Sequence, residues 1–352
     1  MMSALLRSTA LSSFLLATFS SGSAAPAPPV APADLPNRGT FTFYFENDLF
    51  GGTDDRYTNG ARIGWSSPSL KRYSEAGMLG GLAGFFDTVP YVGDPGFEKN
   101  VAFTLGQNMY TPSDTQAVEL IEDDRPYAGW LYLGLGLIWK NSEERNSLVI
   151  NVGVVGPWSF AEETQRLVHE ARGIAVPRGW DNQLENELAI ALGYEKTWRL
   201  RHRVKRNSWD WDLLPYAGVT VGNVAINART GTEARFGWNL PDDFGTASIG
   251  PAATTPAPVE ESGTKAWSHS LGAHLFVRAE GRAVARDIFL DGNTFEDSHS
   301  IDKEPFVGDL AAGLSVNWRN TKLTYAYFVR SEEFRGQKSD QAFGSLTLNI
   351  TF

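Results

Sequence analysis

The chain holds 352 residues with 31 basic and 41 acidic side chains, a net charge of −10, and no cysteine. The acidic balance excludes the basic footprint of a nucleic-acid binder. The missing cysteines exclude a disulfide-stapled scaffold, so a large core or a closed sheet must supply stability.

Residues 1–25 carry Arg7, an apolar run from Ala10 to Phe19 and the small residues Ser23, Ala24 and Ala25, the pattern of a secretory signal. The run is too short for a membrane helix, which needs ~20 residues, and no later stretch is long and apolar enough. Residues 26–37, rich in Pro and Ala, read as a leader, and the folded domain is expected over 38–352. Without Arg7 the basic count falls from 31 to 30 against 41 acidic residues, a net −11.

From there the chain alternates. About twelve strand-like runs follow, near 39–48, 56–67, 99–109, 127–140, 146–157, 187–198, 211–222, 223–237, 267–280, 306–317, 321–332 and 342–352. In the last, Leu346, Leu348, Ile350 and Phe352 are apolar while Ser345, Thr347, Asn349 and Thr351 are polar. Such a period of two sets one face against an apolar medium and the other against a polar one. These features predict an all-β fold, a transmembrane antiparallel β-barrel of about 12 strands in the bacterial outer membrane. A soluble sandwich or lipocalin-like barrel would not explain an outward alternation ending on Phe352.

If the first strand runs outward, three chemically rich connections share the external rim: Asn47 to Thr58, Tyr110 to Tyr127, and Pro157 to Asn186. The first bends on Gly51 and Gly52 and holds the pairs Asn47-Asp48 and Asp54-Asp55. Hard oxygen donors on a short loop suit calcium, although adjacent carboxylates on a turn are also often merely solvated. The third predicts a short external helix between strands 5 and 6. Ser159 to Glu162 reads as a capping box, and Gly173 can end the helix. Gln165 and His169, at i and i+4, share a face. On spacing alone His169 reads either as a base or as a cation favouring the helix dipole. Arg56, Arg125 and Arg166 lie in these connections and could meet anionic groups or pair with nearby carboxylates. Residues 67–100, too long for a short turn on the opposite side, and 239–265 carry no assigned role.

The blocks FENDLF with DDRYTNG (Phe45 to Gly60), QNMYTPSD (Gln107 to Asp114), DRPYAGW (Asp124 to Trp130), GVVGP (Gly153 to Pro157), QRLVH (Gln165 to His169) and GWDNQ (Gly179 to Gln183) occur in this order. In these blocks the chain resembles the outer-membrane lipid A 3′-O-deacylases of the LpxR type. The resemblance implies a twelve-stranded barrel whose site lies between its wall and an external helix. It implies hydrolysis of the 3′-acyloxyacyl ester of lipid A, with calcium, by a mechanism likened to that of secreted phospholipases. His169 matches the general base and Gln165 its helical neighbour; Asn47, Asp48 and Thr58 match the polar cluster around the metal. Asp55 is a further candidate ligand, and Asn47 a candidate oxyanion donor. Where the family has an acidic residue six positions after the histidine, this chain has Ala175, so a carboxylate from elsewhere or a backbone oxygen must serve. Lipopolysaccharide in the outer leaflet is the implied partner, and a monomer is expected. A calcium-dependent phospholipase, or a channel or structural barrel without activity, is the alternative.

Overall fold

The computed structural model describes residues 39–47, 57–200, 208–246 and 271–352; the side chains of Tyr57 and Thr58, and the expected signal and leader over 1–25 and 26–37, lie outside that description. Twelve strands form one closed barrel: β1 (Thr40–Asn47), β2 (Tyr57–Ser66), β3 (Glu98–Tyr110), β4 (Ala128–Lys140), β5 (Glu144–Val155), β6 (Glu187–Trp198), β7 (Trp209–Gly222), β8 (Ala225–Trp238), β9 (Gly272–Asp287), β10 (Phe306–Trp318), β11 (Thr321–Arg330) and β12 (Gln341–Thr351). Each pairs antiparallel with its sequence neighbours, and β12 closes on β1 with Thr40 opposite Thr351 and Asn47 opposite Gly344. Closure removes the free edges that an open sheet would expose.

Side-chain parity follows the expected period. On β1, Thr40, Thr42, Tyr44 and Glu46 are buried in the lumen, whereas Phe43 is exposed. On β12, Ser345, Thr347, Asn349 and Thr351 are buried and Ile350 is exposed. The inside is thus polar and the outside apolar, the inverse of a soluble barrel.

Buried charges survive there because they are paired, since an unpaired one costs several kcal/mol. Glu195 bridges Arg145 at 2.6 Å and Arg229 at 2.8 Å. Asp309 bridges Arg330 at 2.7 Å and Arg282 at 3.2 Å.

Three short helices sit in the connections: α1 (Gly80–Ala83) between β2 and β3, α2 (Ala161–Arg172) between β5 and β6, and α3 (Ile288–Asp291) between β9 and β10. None of the described helices is long and apolar enough to cross a membrane. The connection over 67–97, expected only as an insertion, is an ordered body of short helical turns whose Tyr73 and Ala83 pack on Val101 and Leu137.

At the barrel end where β12 finishes, Trp65, Trp198, Trp209, Trp211, Trp238 and Trp318 all stand exposed at strand ends. Amphipathic rings gathered at one level form an aromatic girdle. The expected site residues Asn47, Gln165 and His169 lie toward the opposite rim.

Candidate functional site

Register gathers the distant motifs into one line. Asn47 on β1 pairs Asn59 on β2, Asn59 pairs Met109 on β3, and Met109 pairs Gly129 on β4. Adjacent strands lie ≈ 4.8 Å apart, so the row spans roughly 14 Å across the rim. It belongs to the outward parity of Phe43, Ile63, Leu105 and Leu133, which are exposed nearer the middle of the wall. At the rim that apolar surface gives way to two amides, a thioether and a glycine.

The α2 helix covers this patch. Its approach is set by Gly129, where a Cβ would fall 2.0 Å from Ser159 Oγ and 2.3 Å from Ala161 Cβ. Only a residue without a side chain lets the helix start touch the wall there. Gly156 supplies the preceding bend at φ 96°, with the Glu185 carbonyl 2.5 Å from where its Cβ would lie.

The expected capping box does not form. Ser159 belongs to a tight turn at Pro157–Ser159 and faces Gly129, and the N-cap is Phe160 at φ 56° with no side-chain cap. Instead, the Thr164 N–H donates to the Phe160 carbonyl at 3.1 Å. Seating on the wall has displaced the local signal. The other end follows expectation: Gly173 at φ 67° stops the helix, and the Ile174 N–H donates to the His169 carbonyl at 3.0 Å.

The buried stripe of α2 is Ala161, Gln165 and His169, one position per turn. Gln165 and His169 are 3% and 5% exposed, so these polar groups face the protein and are not ordinary solvated helix residues. His169 Nδ1 lies 2.7 Å from the Ala175 carbonyl. A carbonyl can only accept, so Nδ1 carries the proton and Nε2 of the neutral ring keeps its lone pair. The backbone oxygen of Ala175 therefore orients the ring at the position where the family pattern has a carboxylate.

Gln165 Oε1 accepts from Trp180 Nε1 at 2.7 Å, which fixes the amide, while Gln165 Nε2 is buried with no partner among the described residues. Trp180 is itself held by Tyr127, Met109 and Ala161. Gln107, another outward residue, donates to the Ser159 carbonyl at 2.6 Å and ties the turn to β3. Gln107 and Trp180 both lie in the ordered motif blocks of the sequence, but no role is expected of either from sequence alone. Strand parity was the available signal for Gln107; nothing local marked Trp180.

Of the expected residues, the structure unites Gln165 and His169 on one stripe and sets Asn47 in the rim row. Asp48 and Asp55 lie outside the described residues, as do Asp54 and Arg56, and Thr58 is placed only as backbone in β2. No group of three or more His, Asp or Glu poised for a metal occurs among the described residues. The rim does offer a hard donor: Asn59 Oδ1 is a buried oxygen with no hydrogen-bond partner among the described residues, directly opposite Asn47. An oxygen acceptor of this kind beside the Asp48 loop fits calcium. Arg125 is buried at the lumen mouth and donates to Glu333 at 3.0 Å. Arg166 is exposed on α2.

The outer membrane protein LpxR family matches residues 11–352. Among solved structures, LpxR from Salmonella typhimurium is similar with a TM-score of 0.70 at 18% identity, covering 89% of this chain and 100% of that one. That similarity is one of fold. The β domain of the Bordetella autotransporter BrkA covers 90% of this chain and 99% of that one at 10% identity, and its TM-score of 0.39 carries no argument. No curated protein matches the chain.

Proposed function

We infer what the site does from one premise: this chain belongs to the LpxR family of outer-membrane proteins. The reading it supports is a lipid A 3′-O-deacylase that hydrolyses the 3′-acyloxyacyl ester by histidine-activated water attack, its rim turned to the outer leaflet. The observation that carries it is the pairing on α2. His169 donates from Nδ1 to the Ala175 carbonyl, which leaves Nε2 as the ring nitrogen able to take a proton, and one turn away Gln165 keeps a buried N–H with no partner among the described residues.

In this mechanism His169 Nε2 takes a proton from water as the water oxygen bonds to the ester carbonyl carbon. The Ala175 carbonyl dipole favours the imidazolium that results. Gln165 Nε2 positions the water or the ester, and the Asn47 amide donates to the oxyanion. As the acyl–oxygen bond breaks, the imidazolium returns its proton to the departing sugar oxygen. The products are an acyloxyacyl carboxylate and a free 3′-hydroxyl. Asp48, Asp55, Thr58 and Asn59 would hold calcium, which when bound supplies polarisation of the ester carbonyl. The outward, apolar wall below the rim suits acyl chains standing beside the site.

Mass spectrometry of lipid A from cells expressing the wild type, or His169→Ala, with calcium present or chelated, tests the reading. Loss of one acyloxyacyl mass in the wild type is expected, with the rate falling about 10²–10⁴-fold in the variant and abolished by chelation. Intact lipid A with folded wild-type protein would sink the assignment. Accumulation of lysophospholipid instead would move the enzyme to phospholipids.

A further inference from the structure

The ordered body over 67–97 has no part in the chemistry at the rim, yet it is built with care. Asp87 staples its start, accepting from the Tyr73 N–H at 2.7 Å and the Ser74 N–H at 3.0 Å. Its inner side, with Tyr73, Ala83, Leu79 and Phe86, covers Val101 and Leu137. Those two residues have the parity of Leu105 and Leu133, so the body lies on the outside of the barrel wall and does not cap the lumen. It extends to β6, where Lys196 Nζ donates to Tyr91 Oη at 2.7 Å, and Tyr91 packs edge-on against Trp139 at 6.1 Å.

Having covered apolar wall, the body presents new apolar surface. Met78 is 102% exposed, Leu82 70% and Phe85 66%. Their spacing, i, i+4 and i+7, places them on one side of the helical turns. The body also stands at the level of the aromatic girdle: exposed Trp65 of β2 and Trp198 of β6 flank it, while the ring between them in the sequence of strands, Trp139 of β4, is buried beneath it. The exposed triplet therefore continues the apolar wall at girdle height. Lys71 and Arg72, exposed at its edge, are placed to meet anionic headgroups.

We propose that residues 67–97 form an interfacial foot that inserts Met78, Leu82 and Phe85 into the phospholipid leaflet at the barrel end opposite the rim. The occupant is a lipid surface because the face is continuous with a wall whose outward residues must themselves meet lipid. This rests on the outer-membrane placement of the barrel but not on its enzymatic chemistry.

The chain has no cysteine, so single introduced cysteines report cleanly. Met78→Cys, Leu82→Cys and, as a water reference, Asp94→Cys would each carry an environment-sensitive fluorophore on the full-length barrel in vesicles of phosphatidylethanolamine and phosphatidylglycerol. Leu275→Cys, on an exposed outward position of β9, is the wall reference. Heat-modifiable migration on gels verifies folding. Labels at 78 and 82 should shift to the blue and be quenched by spin-labelled lipid to within about twofold of the label at 275, with 94 unquenched. A label at 82 that stays unquenched while 275 is quenched overturns the foot, whether its emission reads water or contact with a second protein. If 275 is also unquenched, the membrane placement itself fails, and the foot with it.

Discussion

His169 and Gln165 draw their meaning from two residues that do no chemistry. Trp180 is one, because its N–H is the donor that fixes the Gln165 amide and turns Nε2 away. Trp180→Phe keeps the ring among Tyr127, Met109 and Ala161 but leaves a buried carbonyl unmatched, a cost of about 1–3 kcal/mol. The deacylation rate is expected to fall about tenfold, as loss of roughly 1.4 kcal/mol requires, with the barrel's gel migration unchanged. An undiminished rate would show that the amide needs no fixing. Gly129 is the other. Gly129→Ala puts a methyl where Ser159 Oγ and Ala161 Cβ now lie, so the helix must lift from the wall. A shift of about 1 Å can cost 10²-fold, and steady-state turnover on purified lipid A should show a loss of that order in a folded protein. Neither residue announces its role in the sequence: Gly129 in DRPYAGW looks like one more strand glycine until register sets it at the end of the Asn47 row.

At the scale of elements, legibility follows amphipathic contrast. The run expected at 187–198 is β6 to the residue, because Leu188, Ile190 and Leu192 alternate with Ala189 and Ala191 and the polar end is marked. The run expected to end near 280 continues as β9 to Asp287. There Arg278, Glu280 and Arg282 point inward while Ala279, Gly281 and Ala283 face out, so the apolar signal is too faint to read. The α2 helix was legible from its spacing, but its start was not, since contact with Gly129 displaced the capping box. The foot was opaque for a different reason. Its short turns have no sustained period, and what orders them is tertiary: Asp87 and the outer wall. Burial raises the Asp87 carboxyl, but hydrogen bonds from the Ser74 and Tyr73 amides outweigh it and hold the group below the usual carboxylate range. A depressed folded value means the staple contributes fully above the unfolded value of ~4 and is lost as pH falls through the lower folded one. Amide exchange over the foot, corrected for intrinsic rates, should therefore be flat from neutral pH down to about 4 and quicken below it. Asp87→Asn should exchange fast at neutral pH already; protection equal to wild type in that variant would show that the staple holds nothing.

The molecule as a whole separates a filled inside from a working outside. At the girdle end, the segment after β8 turns into the lumen: Asp243 takes hydrogen bonds from Lys322 at 2.5 Å and from Arg235, Asp242 pairs Arg199, and Phe244 packs on Leu214. At the rim end, Phe289 of α3 stacks on Tyr110 at 4.0 Å and tilts against Trp130 at 6.3 Å. Between them run the ion pairs of Glu195 and Asp309. In a barrel filled at both ends by these side chains, ions entering would have to displace paired charges at several kcal/mol each. In planar bilayers the wild type is expected to show no steady conductance at moderate voltage. Asp243→Ala, which strips Arg235 and Lys322 of a shared partner, should give brief openings if the girdle-end stopper is what closes that side. A large, steady wild-type conductance would restore the channel reading and leave the helix on the wall without a purpose. Silence in the wild type would instead place all of the exchange with the surroundings on the outer surface, where the rim row, α2 and the apolar wall already meet.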